Sequence, residues 1–160
     1  MNILLLEDRG SILDEITQYL RDCGHNVFGC CGIYEADYAW EGQKVDCVIV
    51  DLAMRTEGLT LDEQAQSHKG YFTGWVWLAS RVLKRPDFPG RSIVFSAFID
   101  SFIDSDLGKN AVNKYGREIL FLSKGESDWQ SRLKEKLNEI NRKGRVQYGQ
   151  EKRAKAKPKK

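Results

Sequence analysis

Apolar and polar residues alternate along this chain in blocks that predict a layered α/β fold. Five short apolar runs have the length and composition of strands: residues 2–6, 27–31, 47–50, 92–96 and 118–123. Between them, apolar residues recur at helical spacing, which predicts helices over 11–23, 34–43 and 75–83, one or two short helices within 99–115, and a final helix capped by Ser127. Strands that alternate with helices form βαβ crossovers, so the pattern predicts a parallel sheet with helices on both faces.

Two segments depart from this pattern. Residues 53–73 have little apolar periodicity and include a polar run from Asp62 to Lys69. After Asn141 the apolar pattern stops, and residues 142–160 contain nine Lys or Arg and one Glu, a net charge of +8. Residues 1–141, with 16 basic and 22 acidic residues, carry a net charge of −6. We therefore interpret 1–141 as one domain and 142–160 as a basic, disordered tail.

Length and composition exclude several classes of protein. The 160 residues, of which 41% are hydrophobic, suffice for one domain with a substantial core. No apolar run approaches the roughly 20 residues of a membrane span, and no signal peptide precedes the first strand, so we expect a cytoplasmic protein. Four cysteines lie in apolar settings without metal-binding spacing, which indicates small buried side chains: Cys23, Cys30, Cys31 and Cys47.

Polar groups stand at the ends of four of the five predicted strands. Glu7 and Asp8 follow the first strand, and Asp51 ends the third, which is apolar from Cys47 to Val50. The fourth strand ends at Ser96, and the fifth is followed by Lys124. Because the carboxyl ends of parallel strands lie at one edge of the sheet, where such folds bind ligands, we expect these groups to converge.

Three converging carboxylates require a cation among them, because they otherwise repel and raise one another's pKa. Mg²⁺ takes carboxylate oxygens, waters and phosphate oxygens as ligands. Lys124 adds a positive charge and Ser96 adds a hydroxyl donor, whereas the set lacks a histidine-type base for acyl transfer. These groups suit phosphoryl transfer, with Asp51 as the nucleophile that forms an aspartyl phosphate.

This arrangement resembles the receiver domain of two-component response regulators. The resemblance covers about residues 1–141, and the motifs that carry it are Glu7-Asp8, Asp51, Ser96-Ala97 and Phe121-x-x-Lys124. It implies a flavodoxin-like, doubly wound sheet of five parallel strands in the order 2-1-3-4-5, as in a chemotaxis receiver.

The resemblance also implies a role for each residue. Asp51 would accept a phosphoryl group from a sensor histidine kinase or a histidine phosphotransfer protein, and Ser96 and Lys124 would bind its oxygens. Phe121 would be the aromatic switch that turns inward when the Ser96 hydroxyl moves, although it would equally serve as a core residue. The chain would then be a signalling phosphoacceptor, catalysing only its own phosphorylation and dephosphorylation. The implied Mg²⁺ ligands are Glu7, Asp8, Asp51 and the main-chain carbonyl of Ala53.

The sequence departs from the family pattern in three places. The segment between Asp51 and Ser96 is longer than the family usually keeps, and the excess falls at about residues 54–73, called the insert below. Lys124 is followed by Gly125 where the family commonly has proline. Bulky Phe98 near the site predicts hindered attack by water and a long-lived phosphoryl group.

Three functions remain open at this point. The first is a stand-alone receiver that switches a partner-binding face toward an unknown downstream protein. The second is a receiver-like interaction module that acts independently of phosphorylation, with the insert covering the site. The third, a Mg²⁺-dependent phosphohydrolase, is disfavoured because Ala53 occupies the position of a second acid/base aspartate. The basic tail is a candidate for nucleic-acid contacts, although a solubilising end or an electrostatic tether explains it equally well.

Overall fold

The computed structural model describes the backbone of residues 1–155 and the side chains of residues 1–143. Five parallel strands form one sheet in the order β2-β1-β3-β4-β5, which confirms the predicted flavodoxin-like order. Leu6 lies opposite Val50, and Ser96 lies opposite Ser123, so the strand ends are level at one edge. The strands are β1 (Asn2–Leu6), β2 (Asn26–Cys30), β3 (Cys47–Val50), β4 (Ser92–Ser96) and β5 (Leu120–Ser123).

Seven helices connect and follow these strands in the described part of the chain. The segment predicted as one helix over 75–83 is α4 followed by a five-residue π-helical turn, Leu78–Val82. The segment 99–115 forms two helices that meet at Ser105, whose hydroxyl accepts from the amide of Gly108 and caps the second helix. The helices are α1 (Gly10–Asp22), α2 (Ile33–Gly42), α3 (Leu61–Gln66), α4 (Thr73–Trp77), α5 (Ile99–Asp104), α6 (Asp106–Tyr115) and α7 (Trp129–Lys155).

Two apolar layers cover the two faces of the sheet. Alternate residues of β1 point to opposite faces, so Leu4 and Leu6 lie in one layer and Ile3 and Leu5 in the other. The first layer includes residues of α2, α4, the π turn and α5, and the second consists mainly of α1 and α7 packed on the sheet. Every residue of β3 is buried, because this central strand is covered on both faces.

Helix α7 continues beyond the point where the apolar pattern ends. Its residues Leu133, Leu137 and Ile140 are buried against the sheet, as predicted. The backbone of residues 142–155 continues α7, and the basic, disordered tail stays a prediction. Residues 156–160 lie outside the described residues, and the domain boundary at residue 141 stays a prediction. None of the described helices is long and apolar enough to cross a membrane.

Candidate functional site

Glu7 and Asp51 lie side by side at the carboxyl edge of the sheet. They directly follow the neighbouring strands β1 and β3, and backbone hydrogen bonds hold both positions. The amide of Asp51 donates to the carbonyl of Leu6 at 2.9 Å, and the amide of Glu7 donates to that of Cys30 at 3.0 Å. Glu7 is 1% exposed and Asp51 is 6% exposed, so two carboxylates are buried at adjacent strand ends.

The side chain of Lys124 joins these two carboxylates. Its Nζ lies 2.9 Å from Oδ2 of Asp51 and also donates to Oε2 of Glu7. The amide of Lys124 donates to the carbonyl of Ser96 at 3.2 Å, which anchors the loop after β5 to the end of β4. The structure therefore brings Glu7, Asp51 and Lys124 into direct contact, as the strand-end argument predicts. A buried cation shared by two carboxylates offsets part of the cost of burying them.

Both oxygens of the Glu7 carboxylate have partners. Oε2 accepts from Lys124, and Oε1 accepts from the amide of Arg9 at 3.0 Å. Burial raises the pKa of Glu7 above its ordinary value, and the charge of Asp51 adds to this effect. The hydrogen bond and the charge of Lys124 oppose that rise. The ionised form of Glu7 therefore depends on Lys124 in this arrangement.

Asp8 and Ala53 lie on the open side of these buried groups. Oδ2 of Asp8 accepts from the amide of Arg55 at 3.3 Å, and Asp8 is half-buried. Asp8 and Ala53 line a pocket of about 450 Å³ whose remaining wall is formed by residues of the insert, among them Arg55, Glu57 and Lys69. We call this cavity the Asp8 pocket.

The donor chemistry at this edge fits a hard divalent cation. Asp8, Asp51 and the carbonyl of Ala53 would supply oxygen ligands, and Asp8 and Ala53 border the open pocket. Within the described residues, no three His, Cys, Asp or Glu side chains cluster closely enough to hold a metal ion. Lys124 already occupies an oxygen of Glu7 and an oxygen of Asp51. Binding of Mg²⁺ by all the predicted ligands therefore requires Lys124 to leave Glu7, and the ligand role of Glu7 stays a prediction.

Ser96 and Phe98 form the turn after β4. Ser96 is fully buried, and its hydroxyl oxygen accepts from the amide of Phe98 at 3.3 Å. The ring of Phe98 is 41% exposed and lies edge-on to the ring of Tyr71, with 5.9 Å between the centroids. Rotation of the Ser96 hydroxyl would therefore break its hydrogen bond with the backbone of Phe98, whose ring packs on Tyr71.

Phe121 lies within an aromatic cluster on one face of the sheet. Its ring stacks on Phe102 with 6.1 Å between centroids, and it lies 6.2 Å from Trp75. Phe121 itself is half-buried, whereas Trp75 is only 4% exposed. The packing is compatible with both predicted roles, so the role of Phe121 as a switch stays a prediction.

The insert is a loop whose two ends are hydrogen-bonded to each other. The amide of Met54 donates to the carbonyl of Gly70 at 3.0 Å, and the hydroxyl of Thr73 donates to the carbonyl of Met54 at 3.0 Å. Within the insert, α3 begins with a capping box in which the Thr60 hydroxyl accepts from the amide of Glu63 and the Glu63 carboxylate accepts from that of Thr60. The insert is thus a structured element.

Charged side chains fix the insert to the neighbouring helices. Arg81 in the π turn donates to both oxygens of Glu63 at 2.5 and 3.2 Å and also lies 3.5 Å from Asp37 in α2. The indole of Trp77 donates to the same Asp37 carboxylate at 2.8 Å. Arg81 lowers the pKa of Glu63 to about 2. These contacts place the insert beside the Asp8 pocket as one of its walls.

Sequence reasoning missed several residues that shape this site. Gly74 in α4 donates its amide to the carbonyl of Leu52 at 3.1 Å, which brings α4 against the backbone next to Asp51. The sequence did contain an indication of this contact, because a glycine within an otherwise apolar helical run often marks a place where two backbones pack closely. Arg55, Lys69 and Tyr71 line the Asp8 pocket, and nothing in the local pattern places them there.

The fold is that of known receiver domains. A response regulator receiver domain protein (CheY-like) from Methanospirillum hungatei matches with a TM-score of 0.63 and 19% identity, over 89% of this chain and 97% of that chain. The signal receiver domain of an HD domain-containing protein from Pseudomonas fluorescens matches with a TM-score of 0.65 and 19% identity, over 91% and 97% of the two chains. These likenesses show that the chain has the receiver fold over most of its length.

A third similar structure was solved with a metal and a fluoride complex. The response regulator TrrA from Thermotoga maritima, in complex with Mg²⁺-BeF, matches with a TM-score of 0.61 and 21% identity, over 87% of this chain and 97% of that chain. No protein-family model matches the sequence, and no curated protein matches it. At these identities the similarity establishes the fold, and the chemistry must be argued from the residues.

Proposed function

We propose that this chain is a receiver that accepts a phosphoryl group on Asp51 in a Mg²⁺-dependent reaction. The donor is a phosphohistidine on a sensor histidine kinase or a histidine phosphotransfer protein. One observation carries the proposal: Lys124 contacts both Asp51 and Glu7 at the carboxyl edge of a sheet with the receiver strand order. A nucleophilic carboxylate, a second carboxylate and a cation suit phosphoryl transfer, in which catalysis is mostly positioning and neutralising charge.

In the proposed step, a carboxylate oxygen of Asp51 attacks the phosphorus atom in line with the leaving nitrogen. The O–P bond forms as the P–N bond breaks, and the imidazole takes the electron pair together with a proton from solvent. Leu52 holds the other oxygen of Asp51 through its amide at 2.7 Å, which fixes the attacking carboxylate. When bound, Mg²⁺ neutralises charge on the phosphoryl oxygens, and Glu7, Asp8, Asp51 and the carbonyl of Ala53 would hold it.

Lys124 and Ser96 then bind the transferred phosphoryl group. The new dianion competes with Glu7 for Lys124, and the Ser96 hydroxyl turns from the amide of Phe98 toward the phosphoryl oxygens. Space vacated by that hydroxyl admits Phe121, which changes the surface formed by β4, β5 and the adjacent helices. This is a two-state element biased by one local charge.

The biological setting follows from this function. The chain is proposed to act in the cytoplasm as a signalling domain, with turnover limited to its own phosphorylation and dephosphorylation. Its downstream partner is a protein that distinguishes the two surfaces. The basic side chains from residue 144 onward lie outside the described side chains, so the contact of the tail with nucleic acid stays a prediction.

Incubation with acetyl phosphate and Mg²⁺, followed by intact mass measurement, tests the proposal. The wild type is expected to gain one phosphoryl adduct, and Asp51→Asn is expected to gain none. Asp46→Asn is the matched control. Asp46 directly precedes β3, at the strand end opposite Asp51, and its carboxylate accepts a hydrogen bond from the amide of Asn2 at 2.8 Å. Absence of an adduct on the wild type, or an adduct that persists in Asp51→Asn, would reject the proposal.

A phosphate-independent interaction module is the second candidate. The observation that favours it is that Lys124 already compensates Glu7 and Asp51, so this arrangement needs neither metal nor phosphate. The adduct experiment separates the two candidates. If the wild type gains no adduct but keeps a folded structure, the interaction module is the better account of the same contacts.

A further inference from the structure

The insert presents a positively charged wall to the Asp8 pocket. Arg55 follows the end of β3 by a few residues, and Lys69 lies at the returning end of the insert; both line the pocket and both are exposed. They therefore share the cavity that Asp8 borders. Neither belongs to the group of strand-end residues that the resemblance implies.

Lys69 is held in an unusual backbone conformation. His68, Lys69 and Gly70 have successive φ values of 51°, 60° and 96°, so three residues in a row adopt the left-handed region. For a residue other than glycine this conformation costs about 1 kcal/mol or more, and it persists only where the surroundings impose it. Here Ser67 imposes it: its hydroxyl accepts from the amide of Gly70 at 3.2 Å, and its carbonyl accepts from that of Phe72 at 2.9 Å.

The other cations near the site are already engaged. Lys124 is bound to Glu7 and Asp51, and Arg81 is bound to Glu63 and Asp37. Among the residues whose side chains are described, neither Arg55 nor Lys69 forms an ion pair with a carboxylate. They are thus the cations at the pocket that remain available for an incoming anion.

The acidic residues of the pocket decide which anion fits. Asp8 and Glu57 also line it, so the pocket contains two acidic and two basic side chains. With a divalent cation on Asp8 the balance becomes positive by two charges, which matches a phosphoryl dianion. A singly charged or neutral ligand would leave that excess unbalanced in a partly enclosed site.

We propose that Arg55 and Lys69 bind the phosphoryl dianion of the donor as it approaches Asp51. This inference rests on the proposed function and adds two specificity-determining residues supplied by the insert. Arg55 offers a planar fork that pairs with two phosphoryl oxygens, and Lys69 offers a point charge in the same pocket. The ligand class is a phosphoryl group on a nitrogen or acyl oxygen, since both present the same dianion.

Binding is tested apart from transfer by using the Asp51→Asn full-length chain with Mg²⁺ and inorganic phosphate. Backbone amide shifts of the insert in NMR spectra report occupancy of the pocket. Adding Arg55→Gln and Lys69→Gln together is expected to raise the half-saturating phosphate concentration about tenfold, whereas adding Lys84→Gln, an exposed lysine elsewhere, is expected to leave it unchanged. Each single substitution should give an intermediate value.

Equal half-saturation in the double variant and its parent, or no saturable shifts of the insert amides in the parent, would overturn the inference. The adduct experiment is independent, so a chain that binds phosphate through Arg55 and Lys69 but gains no adduct contradicts only the proposed function. Two donors distinguish the sources of the phosphoryl group. Where the wild type gains the adduct, slower adduct formation in Arg55→Gln with Lys69→Gln, from acetyl phosphate, N-phosphoimidazole or both, supports the inference. An unchanged rate from both donors contradicts it.

Discussion

The Cα of Gly74 faces the backbone carbonyl of Asp51 so closely that a Cβ at position 74 would lie 1.7 Å from that oxygen. The contact joins α4, the first helix after the insert, to the residue proposed to carry the phosphoryl group. Backbone atoms cannot give way as the end of a side chain can. The position of Asp51 therefore depends on a residue that is distant from the strand-end motifs.

Gly74→Ala is expected to destabilise the protein by about 3 kcal/mol or more, because the added methyl group forces α4 away from β3. Thermal unfolding followed by circular dichroism measures the change. Gly90→Ala is the matched control, since nothing lies within 4 Å of a Cβ built there. Equal melting temperatures for the two variants would show that α4 adjusts without cost.

Replacement of Lys124 by Met is expected to cost about 3 kcal/mol at pH 7, because two buried carboxylates lose their shared cation. Burial already raises the pKa of Glu7, and without Lys124 that pKa rises further. A carboxyl with a raised pKa destabilises the fold above that pKa, so the cost must shrink as pH falls and Glu7 takes up a proton. Chemical denaturation at pH 7 and pH 5 measures both values.

The control for this experiment is Lys109→Met, at an exposed position in α6. Its effect on stability should be small and the same at both pH values. A loss in Lys124→Met that is as large at pH 5 as at pH 7 would contradict the assignment of Glu7 as the carboxyl that depends on Lys124.

The pair formed by Glu63 and Arg81 predicts a second pH dependence, of opposite sign. The pKa of Glu63 is lowered to about 2 in the folded chain from an ordinary value of 4.5. Its contribution is therefore fully present above about pH 4.5 and is lost as pH falls toward 2, with a size on the order of 2 kcal/mol. Wild type and Glu63→Gln should differ in stability at pH 7 and converge near pH 2.

Glutamine keeps a side-chain oxygen for the helix cap at Thr60, so this substitution isolates the charge. Glu41→Gln, an exposed site at the end of α2, serves as the control and should not change the pH profile. If Glu63→Gln matches the wild type at pH 7, the ion pair does not hold the insert in place.

Phe98→Ala is expected to shorten the lifetime of the phosphoryl group several-fold. The exposed ring of Phe98 packs against Tyr71 beside the site, and its removal opens a path for the attacking water. Loss of the adduct with time, measured by intact mass after removal of the donor, gives the rate. Tyr38→Ala, at an aromatic residue that is 79% exposed on α2, should leave the rate unchanged, and a wild-type lifetime in Phe98→Ala would reject the role of this ring.

Trp75 should report the proposed switch by its fluorescence. It lies 6.2 Å from the ring of Phe121 and 5.4 Å from that of Phe102, so inward rotation of Phe121 changes its surroundings. Addition of acetyl phosphate and Mg²⁺ should change the emission of the wild type, and Trp75→Phe should remove most of that change. Trp129→Phe, on the opposite face of the sheet, should retain it. An unchanged signal in a chain that carries the adduct would identify Phe121 as a core residue only.

The sheet could be predicted because its strands are mostly apolar and the central strand β3 is apolar at every position. Ile49 and Val50 face opposite layers and are both fully buried, which is the pattern of a central parallel strand. The convergence of Asp51 with Glu7 follows from the level ends of parallel strands. The contact of Lys124 with Glu7 joins residues 117 positions apart, and only the strand order makes it foreseeable.

Other features were not predicted, and most of them depend on tertiary packing. The helix predicted over 11–23 begins at Gly10 after Arg9, without a side-chain cap. The capping box from Thr60 to Glu63 was present in the sequence and went unrecognised, because the short α3 has no apolar face to draw attention to it. The π turn and the Arg81 contacts involve α2, which is far away in the chain.

The hydrogen bond between Met54 and Gly70 brings the two ends of the insert together and closes it as a loop. Because lengthening a closed loop costs little, about 0.6 kcal/mol for each doubling, such a loop can be trimmed or extended while the strands keep their register. Evolution can therefore vary the wall of the Asp8 pocket here without rebuilding the strand ends that hold Glu7 and Asp51. The same junction is a point at which a reporter peptide can be inserted beside Asp51.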